Sequence, residues 1–371
     1  MKMLNDSGEK SGTGIPAFLL SWCAILLCGC QSQTLPPYPP SDLIDSISFD
    51  WSTHVRLAPG SDNWPLAWAD DGHQYTTWGD GGGFGGTNAE GRVSLGVARV
   101  EGGADSYSGF NVWGGKDGEN AALFKGKSYG IVSISGMLYM WVSPGSNARG
   151  YEEARIYSSS DHGATWKPAD WSFVRIQGLV NPTFCQFGRD YTGSRDDYVY
   201  IYANHIKDSS ALKVQKPGEI ALLRVPVASL TRQQAYEYFA GFDDDQVPRW
   251  TRHIDEHQPV FRDPGGVGWN TSVSYNAGLK RYVLITEHDI TAQANLGIFD
   301  APEPWGPWTT VYYGKFGVGS NVPETTFFYN FSNKWLSSDG LDFVLVFTGV
   351  DANDSWNSVA GRFDLLRKPP E

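Results

Sequence analysis

Cysteine is scarce in this chain. There are four in 371 residues, and Cys23, Cys28 and Cys30 all fall within the first thirty. Only Cys185 is left for the body, which excludes an intramolecular disulfide framework and a cysteine-based zinc site. Cys185 lies in an apolar strand pattern and reads as an inert core residue. Positive charge is also in deficit: 29 Lys and Arg stand against 41 Asp and Glu, a net charge of −12. That balance excludes a nucleic-acid partner, which needs a cationic surface. The apolar run from Ile15 to Leu27, broken by Pro16 and Ser21, is too short for a comfortable membrane span. Long helical periodicity is missing as well, and Gln233 to Ala240 is the best short helix candidate.

What the chain does have is glycine, proline and aromatic residues. The 43 Gly and 21 Pro predict many turns, and the 15 Trp and 18 Tyr are a heavy aromatic load. Most of these rings are expected in the core. Some are expected to stack on the flat C–H faces of sugars. The N-terminus reads as an export signal. Lys2 and Lys10 precede the apolar run, and Leu27-Cys28-Gly29-Cys30 follows it. Leu-x-Gly-Cys resembles the bacterial lipobox, which makes Cys30 the expected lipidated N-terminus. Gln31 in place of Asp then points to the outer membrane in a Gram-negative cell, so the expected location is the cell envelope. Residues 1–29 are thus expected to be a signal peptide. Residues 30–45, containing the stiff sequence SQTLPPYPPS, are expected to be a tether, and 46–371 a folded domain.

One unit recurs five times: a polar opening, a strand, a tight turn, and a second strand ending in a polar cluster. The units run from Asp62 to Gly83, Lys127 to Gly145, Asn181 to His205, Asn270 to His288 and Ser332 to Gly349. Asp71-Gly72, Ser135-Gly136, Ala277-Gly278 and Asp339-Gly340 supply the turn residues. Further strand-like sequence follows each hairpin, except that the last unit is one strand short. Phe49 to Ala58 can fill that gap from the N-terminal side. The expectation is an all-β, five-bladed β-propeller with four-stranded antiparallel blades, the N-terminal strand closing the last blade. Ser159-Ser160-Asp161-His162-Gly163-Ala164-Thr165-Trp166 fits the Asp-box pattern, which supports the fold and says little about activity.

In such a ring the openings and closings of the hairpins meet at one end of the axis. Asp62 and Asp80 flank the first hairpin and form the expected catalytic pair. Glycosidic cleavage needs two carboxyl groups, one giving a proton and one acting as nucleophile or base. Neighbouring carboxylates also push their pKa values apart. Asn63, Trp64, Asn181, His205, Asn270, Glu287 and His288 are expected to line the substrate site, with Lys127, Ser143, Trp269, Lys334 and Asp351 on the same rim. No cofactor is expected. A structural Ca²⁺ is the other use of hairpin-end carboxylates.

The stretches DNWPLAWADDGHQYTTWGDGGGFGG, NPTFCQFGRDYTGSRDDYVYIYANH, LKRYVLI, PWGPW and KWLSSDGLDFVLVFTG resemble the family catalogued as domain of unknown function 4185. The resemblance runs from about Asp62 to Gly349. It implies a five-bladed propeller, and some members of that family are endo-D-arabinanases. Their two catalytic Asp near the first hairpin fall on Asp62 and Asp80 here. The expected function is therefore a glycoside hydrolase, endo-acting on a furanose-rich polysaccharide such as D-arabinan. The alternative is a non-catalytic, surface glycan-binding lipoprotein. A sialidase-like enzyme ranks below both, because the hairpin ends supply no Arg cluster for a substrate carboxylate.

Overall fold

The computed structural model describes residues 35–122, 125–144, 152–179, 181–207, 213–322, 325–349 and 354–367. The expected signal segment, Cys30 and Asp351 lie outside the described residues. Within them the protein is all-β: every regular element is a strand or a single 3₁₀ turn. Strand β1 (Ile44–Leu57) comes first. Four antiparallel strands follow as a meander: β2 (Leu66–Trp68), β3 (Gln74–Gly79), β4 (Leu95–Gly103) and β5 (Ser106–Trp113). A second meander holds β6 (Gly126–Ile134), β7 (Met137–Pro144), β8 (Glu153–Ser159) and the short β9 (Lys167–Pro168) and β10 (Phe173–Val174).

The third meander comprises β11 (Pro182–Gln186), β12 (Tyr198–Asn204), β13 (Gly218–Pro226), β14 (Glu237–Phe242) and β15 (Pro248–Thr251), with β16 (Pro259–Asp263) on β13. The fourth comprises β17 (Thr271–Asn276), β18 (Arg281–Glu287), β19 (Asn295–Ala301) and β20 (Thr309–Lys315). The fifth has β21 (Phe327–Phe331), β22 (Asp342–Thr348) and β23 (Trp356–Leu365). Strand β1, which contains most of the expected gap-filling segment, pairs antiparallel with β23 and completes the fifth group.

The first strands of the five groups lie against one another. β11 and β17 pair in parallel, Cys185 opposite Val273. Gln186 Nε2 donates to the Ile131 carbonyl at 2.8 Å, joining the second group to the third. Ser272 Oγ donates to the Tyr329 carbonyl at 2.6 Å, joining the fourth to the fifth. Ser332 Oγ donates to Gln74 Oε1 at 2.6 Å, joining the fifth back to the first. The approach is close enough to demand glycine at Gly130, where a Cβ would meet Thr183 Cα at 2.8 Å. Leu66, Phe184, Val273 and Phe331, from four different groups, share one cavity of about 10 Å³, room for about one water. The centre is therefore packed at this level. Inner strands are covered on both faces, so β6 is buried along its whole length while the outer β20 is half-buried.

The Asp box sits between β8 and β9. Asp161 accepts from Thr165 N at 2.9 Å and from Thr165 Oγ1 at 2.6 Å, and Trp166 Nε1 donates to the Gly163 carbonyl at 3.0 Å. Asp161 and Trp166 are thus engaged in the turn, a structural role, while His162 Nε2 reaches out of it to Asp70 Oδ1 at 2.8 Å.

Four expectations are corrected. Gln233–Ala240 is not a helix: a 3₁₀ turn covers Gln233–Ala235 and β14 begins at Glu237. Tyr238 pairs with Leu223, and that ladder overrides the helical propensity of the preceding residues. The fifth hairpin opens at Phe327, not Ser332; Ser332 to Trp335 is the connecting turn, with Ser332 Oγ accepting from Trp335 N. In the fourth hairpin the left-handed residue is Lys280 (φ 55°), while Gly278 is required by close packing, a Cβ there lying 2.1 Å from the Asp339 carbonyl carbon. Finally, the Pro-rich segment is seated on the domain. Tyr38 OH accepts from Arg262 N at 2.8 Å, Thr310 N donates to the Pro39 carbonyl at 2.7 Å, and the Tyr38 ring packs on Phe261 and Phe299. An aromatic ring with two apolar partners and a satisfied hydroxyl outweighs the freedom of the chain.

Candidate active site

Asp62 and Asp80 stand where the first hairpin opens and closes. Asp62 and Gly79 exchange both backbone hydrogen bonds, at 2.9 and 2.7 Å, just beyond the regular ladder of β2 and β3. Asp80 follows immediately in a left-handed conformation (φ 53°), and Asn63 is left-handed too (φ 59°). Asn and Asp tolerate that region better than other non-glycine residues. It breaks strand alternation at both ends of the mouth. Gly79 leaves the space: a Cβ there would lie 2.6 Å from Asp62 Oδ1 and 2.9 Å from Lys127 Nζ.

The two carboxyl groups have different surroundings. Asp80 Oδ1 is 2.7 Å from the ammonium of buried Lys127 and 3.2 Å from Arg92 Nη2. Asp62 Oδ1 accepts from Asn63 Nδ2 at 3.0 Å. Burial pushes the Asp62 carboxyl up to about 7; Lys127 opposes this, and Asp80 and Asp354 add to it. One carboxyl group of the mouth is thus desolvated, and the other is paired with two cations. Lys127 and Arg92 already neutralise Asp80, so a divalent cation bound there would be repelled. The donor set does not suit Ca²⁺.

The other expected residues divide. Asn270 belongs to the mouth: its Nδ2 is 3.4 Å from Asn63 Oδ1, a chain leading from Asp62. Asn181 is buried near it and donates through Nδ2 to the Trp269 carbonyl at 3.2 Å. Trp64 is a correction. Its ring is fully buried among Trp78, Phe84 and Trp356, so it is core and offers no face to a ligand. Lys334 is another: it lies in the turn after β21, at the opposite end of its hairpin.

Glu287 is buried. Its Oε1 accepts from Ala292 N at 2.8 Å, and burial pushes its carboxyl up to about 8. His288 is held by Asp289 (Nδ1–Oδ2 2.9 Å) and stacks on Tyr313 with ring centres 3.7 Å apart; burial lowers its pKa. His205 is half-buried beside Glu219 and His257, its pKa lowered by burial and by His257. No contact joins Glu287, His288 or His205 to Asp62 or Asp80 among the described residues. Sequence reasoning put Lys127 on the rim without its pairing to Asp80. It missed Arg92, Asp354 and the buried ring partners of Trp269, namely Tyr129, Phe327 and Phe328. The consecutive Phe327-Phe328 opening the true fifth hairpin was the available signal for that cluster.

The model of the family described as domain of unknown function (DUF4185) matches residues 130–328. The chain belongs to this family. No curated protein matches its sequence. Among solved structures it is similar to a GH43_1 enzyme from Xanthomonas citri, with 12% identity, a TM-score of 0.47, and coverage of 84% of this chain and 91% of that one. It is also similar to an alpha-L-arabinofuranosidase of Fusarium graminearum, with 10% identity, a TM-score of 0.41, and coverage of 86% and 97%. A family 117 glycoside hydrolase of the marine bacterium Zobellia galactanivorans has 9% identity, a TM-score of 0.41, and coverage of 86% and 90%.

Proposed function

We propose that this DUF4185 protein is a five-bladed β-propeller glycoside hydrolase, endo-acting on a furanose-rich polysaccharide such as D-arabinan, with Asp62 and Asp80 as its catalytic pair. The observation that carries the reading is the contrast between these two carboxyl groups across one hairpin mouth. Asp62, desolvated and raised to about 7, is suited to protonate the leaving glycosidic oxygen. Asp80, paired with Lys127 and Arg92 and partly open to solvent, is suited to act as nucleophile or as base toward water. Asn63 and Asn270 extend the polar wall beside Asp62. The choice of D-arabinan follows from the family resemblance.

The same proposal includes export and lipidation at Cys30, which would place the domain on the cell envelope. The function is tested by incubating the purified domain with arabinans, galactans and other bacterial and plant glycans. Chain shortening of an arabinan by the wild type, lost in folded Asp80→Asn, is the expected result. Full activity in Asp80→Asn ends the assignment of the site. Retention of a glycan with no cleavage by the wild type would make the protein a binding module instead.

A further inference from the structure

The outer edge of the third meander carries a second concave surface. The β14–β15 hairpin and the 3₁₀ turn Ile254–Glu256 enclose an open cavity of about 630 Å³. That volume is within the range that holds small ligands. Arg249, Trp250, Thr251, Glu256 and Gln258 line it. None of these residues belongs to the Asp62 mouth.

The lining is chemically mixed in a specific way. Trp250 is half-buried and fixed: the Arg224 guanidinium lies 4.0 Å from its ring centre, and Phe239 and Trp305 meet it edge-on. A ring held this way loses little freedom on binding. Arg249 Nη2 donates to the Ala240 carbonyl at 3.2 Å, which steadies the guanidinium at the wall. Glu256 Oε2 accepts from Thr251 Oγ1 at 2.6 Å, which steadies the carboxylate. Arg249 and Glu256 share the cavity, yet no ion pair joins them among the described residues. A charged ligand would meet a like charge on one side. A neutral, hydroxyl-rich ligand can accept from the guanidinium, donate to the carboxylate, pair with the Gln258 amide and lay C–H bonds on the indole.

We propose that this cavity is a second binding site for neutral oligosaccharide, separate from the Asp62–Asp80 mouth, which holds a polysaccharide chain on the outer rim of the domain. The inference shares only its ligand class with the proposed hydrolase and does not need hydrolysis to occur.

The test is affinity electrophoresis of the whole domain in gels containing soluble arabinan, galactan or xylan. Asp80→Asn supplies the background, so that turnover does not erode the gel. At least one polysaccharide is expected to retard the protein. Trp250→Ala is expected to weaken that retardation about fivefold or more, and so are Glu256→Gln and Gln258→Ala, whose side chains are exposed and whose loss leaves the core intact. When the same cavity substitutions are made with Asp80 intact, cleavage of a short soluble oligosaccharide is expected to match that of the wild type. Retardation that is unchanged in Glu256→Gln and Gln258→Ala overturns the proposal, as does the absence of retardation in every gel. Retardation lost in the cavity variants, in a protein that cleaves no glycan, would sink the hydrolase and leave this site standing.

Discussion

Lys127 opens the second meander, and its ammonium reaches Asp80, the residue closing the first hairpin of the first meander, at 2.7 Å. The pair ties two groups of strands together at the mouth where Asp62 lies. Lys127 is buried and Asp80 is partly open to solvent, so the charge is directed outward toward an incoming ligand. Replacing Lys127 with Met removes the cation and keeps most of the apolar stem. Activity is expected to fall about tenfold to hundredfold, the order of the cost of breaking one partner of a buried ion pair. Lys127→Arg should recover part of it. Circular dichroism checks that the fold survives, and an active Lys127→Met would remove Lys127 from the site.

The pH profile follows from Asp62. A carboxyl raised to about 7 by burial is protonated below that value and loses its proton above it. A general acid works only while protonated. The rate on a glycan substrate is therefore expected to decline as pH rises through about 7. A profile flat from pH 5 to 9 would show that Asp62 is not the donor.

Glu287 makes a separate prediction about stability. Its folded pKa is raised to about 8 while the unfolded carboxyl stays near its ordinary value. Between those values the folded state holds the extra proton, so the stabilisation is complete only below the unfolded carboxyl's ordinary value and is lost progressively from there as pH rises through about 8. The loss is at most about 5 kcal/mol. Glu287→Gln keeps the neutral shape and removes the titration. Thermal unfolding at pH 6 and pH 9 is expected to differ less in Glu287→Gln than in the wild type. Equal shifts in both proteins would locate the pH dependence elsewhere.

Trp64 separates core from site. Its indole is fully buried against Trp78, Phe84 and Trp356. Trp64→Ala is expected to cost about 3–5 kcal/mol of stability through the cavity it leaves. Chemical denaturation measures this directly. A variant as stable as the wild type, but weak in glycan binding, would return Trp64 to the substrate site.

Much of the architecture could be read from residue order alone, because hairpins are local. Asp71-Gly72 and Asp339-Gly340 mark their turns with the glycine that each turn needs in the left-handed region. The pairing of Asp62 with the end of β3 follows from the same locality: two residues that flank one hairpin must be neighbours. The Asp box named its own position between β8 and β9. The errors also have local causes. Aromatic residues at a hairpin mouth suit a sugar platform and a core equally well, and Trp64 proved to be core. The polar stretch Ser332 to Trp335 imitated a strand opening, which moved the fifth hairpin and placed Lys334 at the wrong end.

By itself, the sequence determined the strand repeat, the turn positions and the adjacency of Asp62 and Asp80. Each of these depends on contacts between residues close in the chain. Tertiary structure alone decided that Lys127 and Arg92 pair with Asp80, that Asp62 is desolvated, and that Tyr38 clasps the strands around Phe261 and Phe299. Electrostatics and burial depend on distances across separate meanders, and side-chain order along one strand carries no record of them.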